Sequence, residues 1–322
     1  SPPEGGFSLN LNGNTVALTG ATGFIGKRLT QRLLEAGAGV RILVRTPSAA
    51  SQLQQLGAEV VAGDLADEHA LNTLLAGADS LVHCAGAVRG ASYAAFEVTN
   101  VIGTARLLKI ARSQPRPPRV LMLSSIVARE PQLSWYARSK REGEDLLTAL
   151  AGQLDWTVLR PPAVYGPGDK EMLPVFQSMT RGIAPLPGSP TSRTSLIHVD
   201  ELVDACLACL TCDGKTSRQR IYLHDGQENG YNWEEMARIA EGVFARRVRL
   251  LPIPSPILNS FAAINLASAR LTGRAPMLTP CKLRELRHPD WVADNAIIST
   301  ATGWNPQIDL RQGLTLLKNS AL

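Results

Sequence analysis

The feature that most constrains this chain is the stretch 19–26, TGATGFIG, which directly follows the apolar run 15–18. When a strand ends in a glycine-rich turn and leads into a helix, backbone N–H groups and the helix dipole both favour a negatively charged group at the helix N-terminus. Gly20 permits the tight turn, Gly23 lets a phosphate approach the backbone, and Gly26 lets the helix lie close to the strand. We therefore predict a binding site for the pyrophosphate of a nucleotide.

Strands and helices alternate along the first half of the chain. We predict strands at 15–18, 40–45, 59–65, 80–84, 120–124 and 157–159, and helices from 25, from 48, at 67–75, at 93–112 and at 135–150. Strands that are apolar on both faces and joined by helices indicate a parallel sheet covered on both sides. The carboxyl ends of such strands share one edge of the sheet, where ligands bind. The residues expected at that edge are Gly20, Arg45, Asp64, Cys84, Ser125 and Arg160.

The regular alternation ends at Pro161, after which prolines separate short segments. We predict an α/β, Rossmann-type fold: a doubly wound parallel sheet in residues 1–160, with strand segments near 195–223 able to return to it. Residues 161–322 would form mainly a smaller, less regular substrate lobe. Its expected helices are 201–212, 233–245, 257–272 and 310–318, and its expected strands are 195–198 and 220–223.

Composition excludes some classes of protein. The 322 residues are 44% hydrophobic and 19% charged, as in a globular protein, and the net charge is +5. The arginines are spread along the chain without interleaved aromatics, which does not indicate nucleic-acid binding. No secretory signal or membrane span is visible, and residues 1–6 are expected to be a processed or flexible end. We expect a cytoplasmic protein, monomeric or homodimeric, that acts on a small molecule.

Three cysteines, Cys206, Cys209 and Cys212, have a CxxCxxC spacing that invites comparison with iron–sulfur ligands. They fall in a segment with helical periodicity, where residues three apart simply share a face, and no fourth ligand follows. We interpret them as buried free thiols and predict no metal site.

Tyr136 and Lys140 lie four residues apart on a predicted helix and therefore share a face. A lysine ammonium one turn away favours the phenolate and would lower the pKa of the tyrosine towards the working range of a proton donor. Spacing alone also fits two surface residues. Their position after the fifth strand, which ends in Ser124 and Ser125, favours catalysis, because a serine hydroxyl there can hold a substrate carbonyl. Alternation along the strand lets only one of the two serines face the site.

Taken together, these motifs resemble those of the extended short-chain dehydrogenases/reductases, also called the NAD-dependent epimerase/dehydratase family. The resemblance covers nearly the whole chain: TGATGFIG, GDL at 63–65, HCAG at 83–86, NVIGT at 100–104, the serine pair, YxxxK, LRPPAVYGPGD at 159–169, IHVD at 197–200 and GWNP at 303–306. The segment 278–295 is similar to the 3β-hydroxysteroid dehydrogenase-like branch.

The resemblance implies roles for individual residues. Ser125, Tyr136 and Lys140 would be catalytic, with Ser124 as the alternative hydroxyl, and His198 would support packing instead. Asp64 and Leu65 would lie by the adenine, and Pro161 and Val164 by the nicotinamide. The full set expected to bind the cofactor is Gly20, Thr22, Gly23, Phe24, Ile25, Gly26, Arg45, Asp64, Leu65, Ala85, Gly86, Tyr136, Lys140, Pro161 and Val164.

Arg45 bears on which cofactor is used. NAD enzymes usually place an acid at the end of the second strand, whereas NADP enzymes place an arginine there. With Thr46 and Ser48 beside it, Arg45 predicts NADP(H), with NAD(H) as the alternative, since an arginine there can also merely stack on adenine.

Three functions fit these residues. The first is an NAD(P)-dependent oxidoreductase that acts on a carbonyl or secondary alcohol. The second is a sugar-nucleotide epimerase or dehydratase that retains its cofactor, and the third is a non-catalytic NAD(P)-binding subunit. The short segment between Ser125 and Tyr136 predicts an open substrate mouth. The apolar residues of 257–271 would line a pocket or pack in the core, and the pocket would favour a largely apolar substrate.

Overall fold

The computed structural model describes residues 10–150, 152, 154–273, 275–276 and 278–320. Residues 1–6, expected to be a flexible end, lie outside the described residues. The β-strands of the described chain are β1 Thr15–Thr19, β2 Gly39–Val44, β3 Glu59–Ala62, β4 Ser80–His83, β5 Arg119–Leu123, β6 Trp156–Arg160, β7 Ala163–Tyr165, β8 Ile183–Leu186, β9 Arg193–Thr194, β10 Leu196–His198, β11 Gln219–Tyr222, β12 Arg249–Pro252 and β13 Asp290–Trp291.

The α-helices of the described chain are α1 Phe24–Glu35, α2 Ser51–Gln55, α3 Glu68–Leu75, α4 Tyr93–Glu97, α5 Thr104–Ser113, α6 Trp135–Leu150, α7 Leu173–Thr180, α8 Val199–Thr211, α9 Trp233–Phe244, α10 Ser255–Thr272, α11 Pro280–Leu286, α12 Ala296–Thr302 and α13 Leu310–Ser320. The helix predicted at 93–112 is interrupted by a π-helical segment, Val98–Gly103. Within the described chain, we find no helix with the length and apolar content that a membrane crossing requires.

Among the described residues, a seven-stranded parallel sheet has the order β11-β6-β5-β4-β1-β2-β3. The predicted parallel, Rossmann-type sheet is confirmed. The chain runs from β1 outward to β3 and then crosses back to β4 on the other side of β1. Ligand crevices form where the strand order reverses in this way, at the carboxyl ends of the strands. Thr19 and His83 are paired at the ends of β1 and β4, so this crevice opens directly above them.

Side chains bury both faces of the sheet, as its apolar strands require. In β1, Val16 and Leu18 pack in a cluster with α1 and α8, whereas Ala17 packs in a separate cluster with α3 and α5. The cluster with α8 contains Cys206 and Cys209, which are free and buried. The described residues hold no group of three His, Cys, Asp or Glu placed to bind a metal ion.

The second half of the chain forms its own core and also returns to the sheet. Its core includes the fully buried Tyr165 and Phe176, whose rings meet edge to face with centroids 5.6 Å apart. β11 pairs with β6 in the main sheet, while β10 pairs with β7 outside it. Ile298 and Trp304, from α12 and the residues after it, are buried in the same cluster as β1. The late part of the chain therefore completes one face of the sheet.

Candidate active site

The glycine turn between β1 and α1 leaves no room for side chains. Gly20 has φ +78°, and a Cβ at Gly26 would lie 2.1 Å from the Gly20 carbonyl oxygen. A Cβ at Gly20 would lie 2.6 Å from the Ala85 amide nitrogen, so the turn also packs tightly on the end of β4. α1 begins at Phe24, with Gly23 as its N-cap, and no side chain caps it or places an acid in its first turn. Its N-terminal N–H groups are therefore free to bind a pyrophosphate.

His83 fixes the floor of the crevice. Its Nδ1 and Nε2 lie 2.7 Å and 2.9 Å from the hydroxyls of Thr19 and Thr104, which joins β1, β4 and α5. Complete burial lowers the pKa of His83 to about 3, so the ring is neutral at physiological pH. Thr19 also accepts a hydrogen bond from the Ala85 amide at 3.3 Å, which positions the backbone that follows β4.

Asn100 holds the next part of the crevice, a role that the sequence analysis did not assign. Its amide accepts from the Ala87 N–H at 2.7 Å and donates to the Ala87 carbonyl at 3.0 Å and to Ser139 at 2.9 Å. A Cβ at Gly86 would lie 3.3 Å from the Asn100 oxygen and 3.6 Å from Lys140 Nζ. Asn100 lies in the π-helical segment and within the NVIGT motif, which is the signal that could have identified it.

The residues expected near the adenine follow β2 and β3, at the carboxyl ends of these two strands. Arg45 directly follows β2 and is exposed. Asp64 is exposed too, and its carboxylate accepts from the Ala66 N–H at 2.7 Å. Leu65 is half-buried against Gly103, where a Cβ would lie 2.8 Å from the leucine side chain. The predicted strand 59–65 ends at 62, because Gly63, with φ +152°, turns the chain.

Lys140 is buried beneath this edge. Its Nζ donates to the Leu123 carbonyl, the last residue of β5, at 2.6 Å. Burial lowers the pKa of Lys140 to about 8, although the nearby Glu144 carboxylate acts to raise it. The lysine thus connects α6 to the end of β5, and its Nζ lies close to Gly86.

Tyr136 is half-buried on the same helix. Burial raises its pKa above the usual value, and the Glu285 carboxylate adds to this, whereas a hydrogen bond with Ser125 acts to lower it. This differs from the prediction that Lys140 lowers the pKa, because in this structure the Lys140 ammonium is bound to the Leu123 carbonyl.

The two serines at the end of β5 point to different surroundings. Ser124 is buried, and its hydroxyl donates to Glu144 at 2.5 Å. Ser125 is half-buried; its hydroxyl caps the short 3-10 helix Ile126–Arg129 by accepting from the Val127 N–H at 3.4 Å, and it is close enough to Tyr136 to act on the pKa of the phenol. Of the two alternatives left by the alternation of the strand, Ser125 is the serine beside Tyr136.

Glu144, which accepts the Ser124 hydrogen bond, is the centre of a buried cluster of polar side chains. The carboxylate is fully buried and accepts from Arg160 at 2.9 Å and 2.5 Å and from Arg220 at 3.0 Å. This cluster links α6 to β5, β6 and β11. Sequence reasoning missed it, since the only signal is an acid four residues after Lys140 on the same helix face.

Pro161 and Val164 follow β6 at the same edge, and the Pro161 carbonyl accepts from the Ile126 N–H at 2.9 Å. His198 instead caps α8, accepting from the Asp200 N–H at 3.3 Å, and packs edge-on against Tyr165 with ring centroids 5.4 Å apart. Burial lowers the pKa of His198. These contacts are those of a packing residue.

A shallow, open cleft lies beside Tyr136. Its wall includes Phe96 and four charged residues, which form the ion pairs Arg89–Glu171 at 2.5 Å and Lys282–Glu285 at 2.6 Å. Lys282 Nζ lies 5.8 Å from the centre of the Tyr136 ring. Glu285 also accepts from the Ser134 hydroxyl, which in turn accepts from the Ala137 N–H at the start of α6.

The cleft differs from the pocket expected at 257–271. Among the described residues, its wall takes nothing from α10. Leu258 and Ala262 of that helix pack against Leu283, while Ile257 and Phe261 are exposed. Apolar periodicity identifies a helix, but it does not show which face meets the protein.

Comparison with known proteins shows what this architecture resembles. Residues 16–222 match the sequence pattern of the family described as "NAD dependent epimerase/dehydratase family". The chain is 36% identical over 282 residues to a ceramide reductase of Caulobacter vibrioides, covering 87% of this chain and 86% of that protein. It is 26% identical over 336 residues to a 2-alkyl-3-oxoalkanoate reductase of Stenotrophomonas maltophilia, covering 95% and 99%.

The fold is also similar to that of a solved UDP-glucuronic acid 4-epimerase from Bacillus cereus, in complex with UDP-glucuronic acid and NAD. The TM-score is 0.73 at 19% identity, and the match covers 95% of this chain and 99% of that one. At this identity the likeness concerns the fold alone. The sequence match extends over more than half of the chain and includes the glycine turn, the serine pair and the Tyr136–Lys140 helix. The chain therefore belongs to the NAD-dependent epimerase/dehydratase family, as its motifs predicted.

Proposed function

We propose that this protein is an NAD(P)-dependent reductase or dehydrogenase that interconverts a carbonyl and a secondary alcohol on a largely apolar small molecule. The observation that carries the proposal is the position of Ser125 next to Tyr136 at the carboxyl edge of the sheet, where Tyr136 lines the open cleft. Residues 1–160 would hold the cofactor, and residues 161–322 would mainly hold the substrate.

The glycine turn fits a dinucleotide, since Cβ atoms at Gly20 and Gly26 would clash with the neighbouring backbone and disrupt the tight turn that leads into the uncapped N-terminus of α1. The bound nicotinamide supplies or accepts a hydride. Ser125 would bind the substrate oxygen, and Tyr136 would donate a proton to that oxygen during reduction. Lys140, fixed by the Leu123 carbonyl close to Gly86, would bind the nicotinamide ribose.

We propose NADP(H) as the preferred cofactor. The support is the exposed Arg45 at the end of β2, in the position where a guanidinium can bind a ribose 2′-phosphate. NAD(H) remains the alternative, since Arg45 can stack on adenine without discriminating between the two.

The substrate proposal rests on the charges around the cleft. Two ion pairs line the cleft, Arg89–Glu171 and Lys282–Glu285. Each cation is therefore already neutralised by a carboxylate. A sugar diphosphate requires unmatched positive charge, whereas an apolar ketone requires none. The names of the relatives, a ceramide reductase and a 2-alkyl-3-oxoalkanoate reductase, support a substrate with long alkyl chains.

The alternative is a sugar-nucleotide epimerase, the class of the Bacillus cereus enzyme whose fold is similar. A panel separates the two: alkyl ketones and their alcohols, and UDP-sugars, each with both nicotinamide cofactors. We expect substrate-dependent loss of NADPH absorbance with the ketones. Conversion of a UDP-sugar without net change in cofactor, and no reaction with the ketones, would refute the proposal.

A further inference from the structure

Helix α10, Ser255–Thr272, carries apolar side chains on two faces. On one face Leu258 and Ala262 pack against Leu283 of α11, in a small cluster separate from the other cores. The other face is uncovered, with exposed fractions between 59% and 89% at Ile257, Phe261, Ile264 and Leu271. We call these four residues the α10 face.

Helical spacing places the α10 face on one continuous stripe. The intervals of four, three and seven residues keep the four side chains within about a quarter of the helix circumference, since each residue turns the helix by about 100°. At 1.5 Å per residue, the stripe is about 21 Å long. Single exposed apolar residues are common on protein surfaces and need no explanation. A continuous apolar stripe such as this one instead marks a surface that binds a partner.

The excess of basic residues is concentrated in the part of the sequence that contains this helix. Residues 246–287 contain eight of the 33 lysines and arginines but only one of the 28 acids, the buried Glu285. The rest of the chain holds 25 basic and 27 acidic residues, so the net charge of +5 comes from this segment. Arg246 and Arg247, which precede α10, are exposed.

We propose that the α10 face docks on the surface of an anionic lipid bilayer, lying in the plane of the interface without crossing it. Exposed apolar side chains would enter the boundary between headgroups and acyl chains, and the surrounding cations would meet the anionic headgroups. A second copy of this chain fits the face poorly, because pairing would bring two strongly basic segments together.

Docking would also place the cleft beside the membrane. Thr279, Cys281 and Lys282 line the cleft, and the last two belong to α11, which packs against α10 through Leu283. A substrate with alkyl chains would then pass from the bilayer to Tyr136 over a short path. This extension rests on the proposed function, whereas the docking itself does not.

The test is flotation of the full chain with vesicles of phosphatidylcholine alone and of phosphatidylcholine mixed with phosphatidylglycerol, without substrate or cofactor. We expect binding to the anionic vesicles, weakened by added salt. The double variant Phe261→Ser with Ile264→Ser should lose at least about tenfold in affinity, since two large apolar side chains no longer enter the interface. Its matched control is Leu56→Ser with Leu316→Ser, two exposed leucines on other elements, which should bind like the wild type.

Three outcomes would overturn the proposal: no binding to anionic vesicles, equal binding by the Phe261/Ile264 variant and the wild type, or a dimer in sedimentation that this variant dissociates. Titration of NADPH separates this result from the proposed function. The variant should bind the cofactor like the wild type, and vesicle binding does not depend on whether the reductase activity is found.

Discussion

Two sets of ion pairs near α6 use the same chemistry in opposite surroundings. Beneath the sheet edge, Glu144 is fully buried and matched by Arg160, whose side chain is only 7% exposed, and by Arg220. Around the cleft, Glu171 is 49% exposed and pairs with Arg89. The buried set fixes α6 against the strands, whereas water can replace a lost partner of the exposed Arg89–Glu171 pair. The site therefore combines a rigid base with an exposed ion pair at the cleft whose loss should cost little.

The largest expected effect breaks the buried set. Glu144→Ala leaves the Arg160 guanidinium buried without its carboxylate and should lower the free energy of unfolding by about 3–5 kcal/mol. Urea unfolding measures it. The matched control is Asp145→Ala on the same helix, an exposed acid paired with Arg141 and Arg220. Similar losses in the two variants would remove the distinction between buried and exposed pairs.

Next in size is an effect on the reaction alone. Tyr136→Phe removes the proposed proton donor and should reduce kcat by a factor of about 10² or more, with cofactor affinity unchanged. Single-turnover kinetics and a binding titration measure the two quantities. Tyr93→Phe is the matched control, because Tyr93 donates its hydroxyl to Glu142 on the outside of α6. A Tyr136→Phe enzyme with wild-type kcat would exclude the proposed role.

A smaller effect is expected at Arg45. Arg45→Asp should shift the ratio of NADPH to NADH dissociation constants by about tenfold or more towards NADH, because the acid repels a 2′-phosphate and can bond a 2′-hydroxyl. Arg45→Gln should weaken NADPH binding without a gain for NADH. If the wild type binds NADH more tightly than NADPH, the assignment of Arg45 is wrong.

The smallest effect is expected when the exposed ion pair at the cleft is broken. Glu171→Ala should cost less than about 1 kcal/mol of unfolding free energy, as for other solvent-exposed ion pairs. The same urea titration applies. A loss as large as that expected for Glu144→Ala would show that the cleft mouth is as rigid as the base beneath it.

Local patterns in the sequence predicted the parallel sheet and the residues at its edge, because alternation of strands and helices determines where strand ends meet. They could not choose between Ser124 and Ser125. That choice depends on Glu144, which lies twenty residues after Ser124 and meets it only when α6 packs on β5. The link from Glu285 to Ser134 was hidden for the same reason, since 151 residues separate the two.

The cleft was the least predictable part. The apolar positions of 257–271 were expected to face inward, yet Phe261 and Ile264 are exposed. The same helical spacing arises whether the apolar face of a helix packs on its own protein or contacts something outside it. The sequence also did not predict the π-helical segment Val98–Gly103 within the 93–112 helix, where the Asn100 amide bonds to Ala87, thirteen residues earlier in the chain.

The burial of Ile298 and Trp304 with β1 sets an order of events during synthesis. β1 is synthesised first, but one face of its core waits for residues nearly 290 positions later. Until Ile298 and Trp304 have left the ribosome, the hydrophobic underside of the sheet stays partly uncovered in the nascent chain. A ribosome that stalls before Ile298 would hold a chain whose glycine turn is already made and whose core is still open to chaperones and proteases.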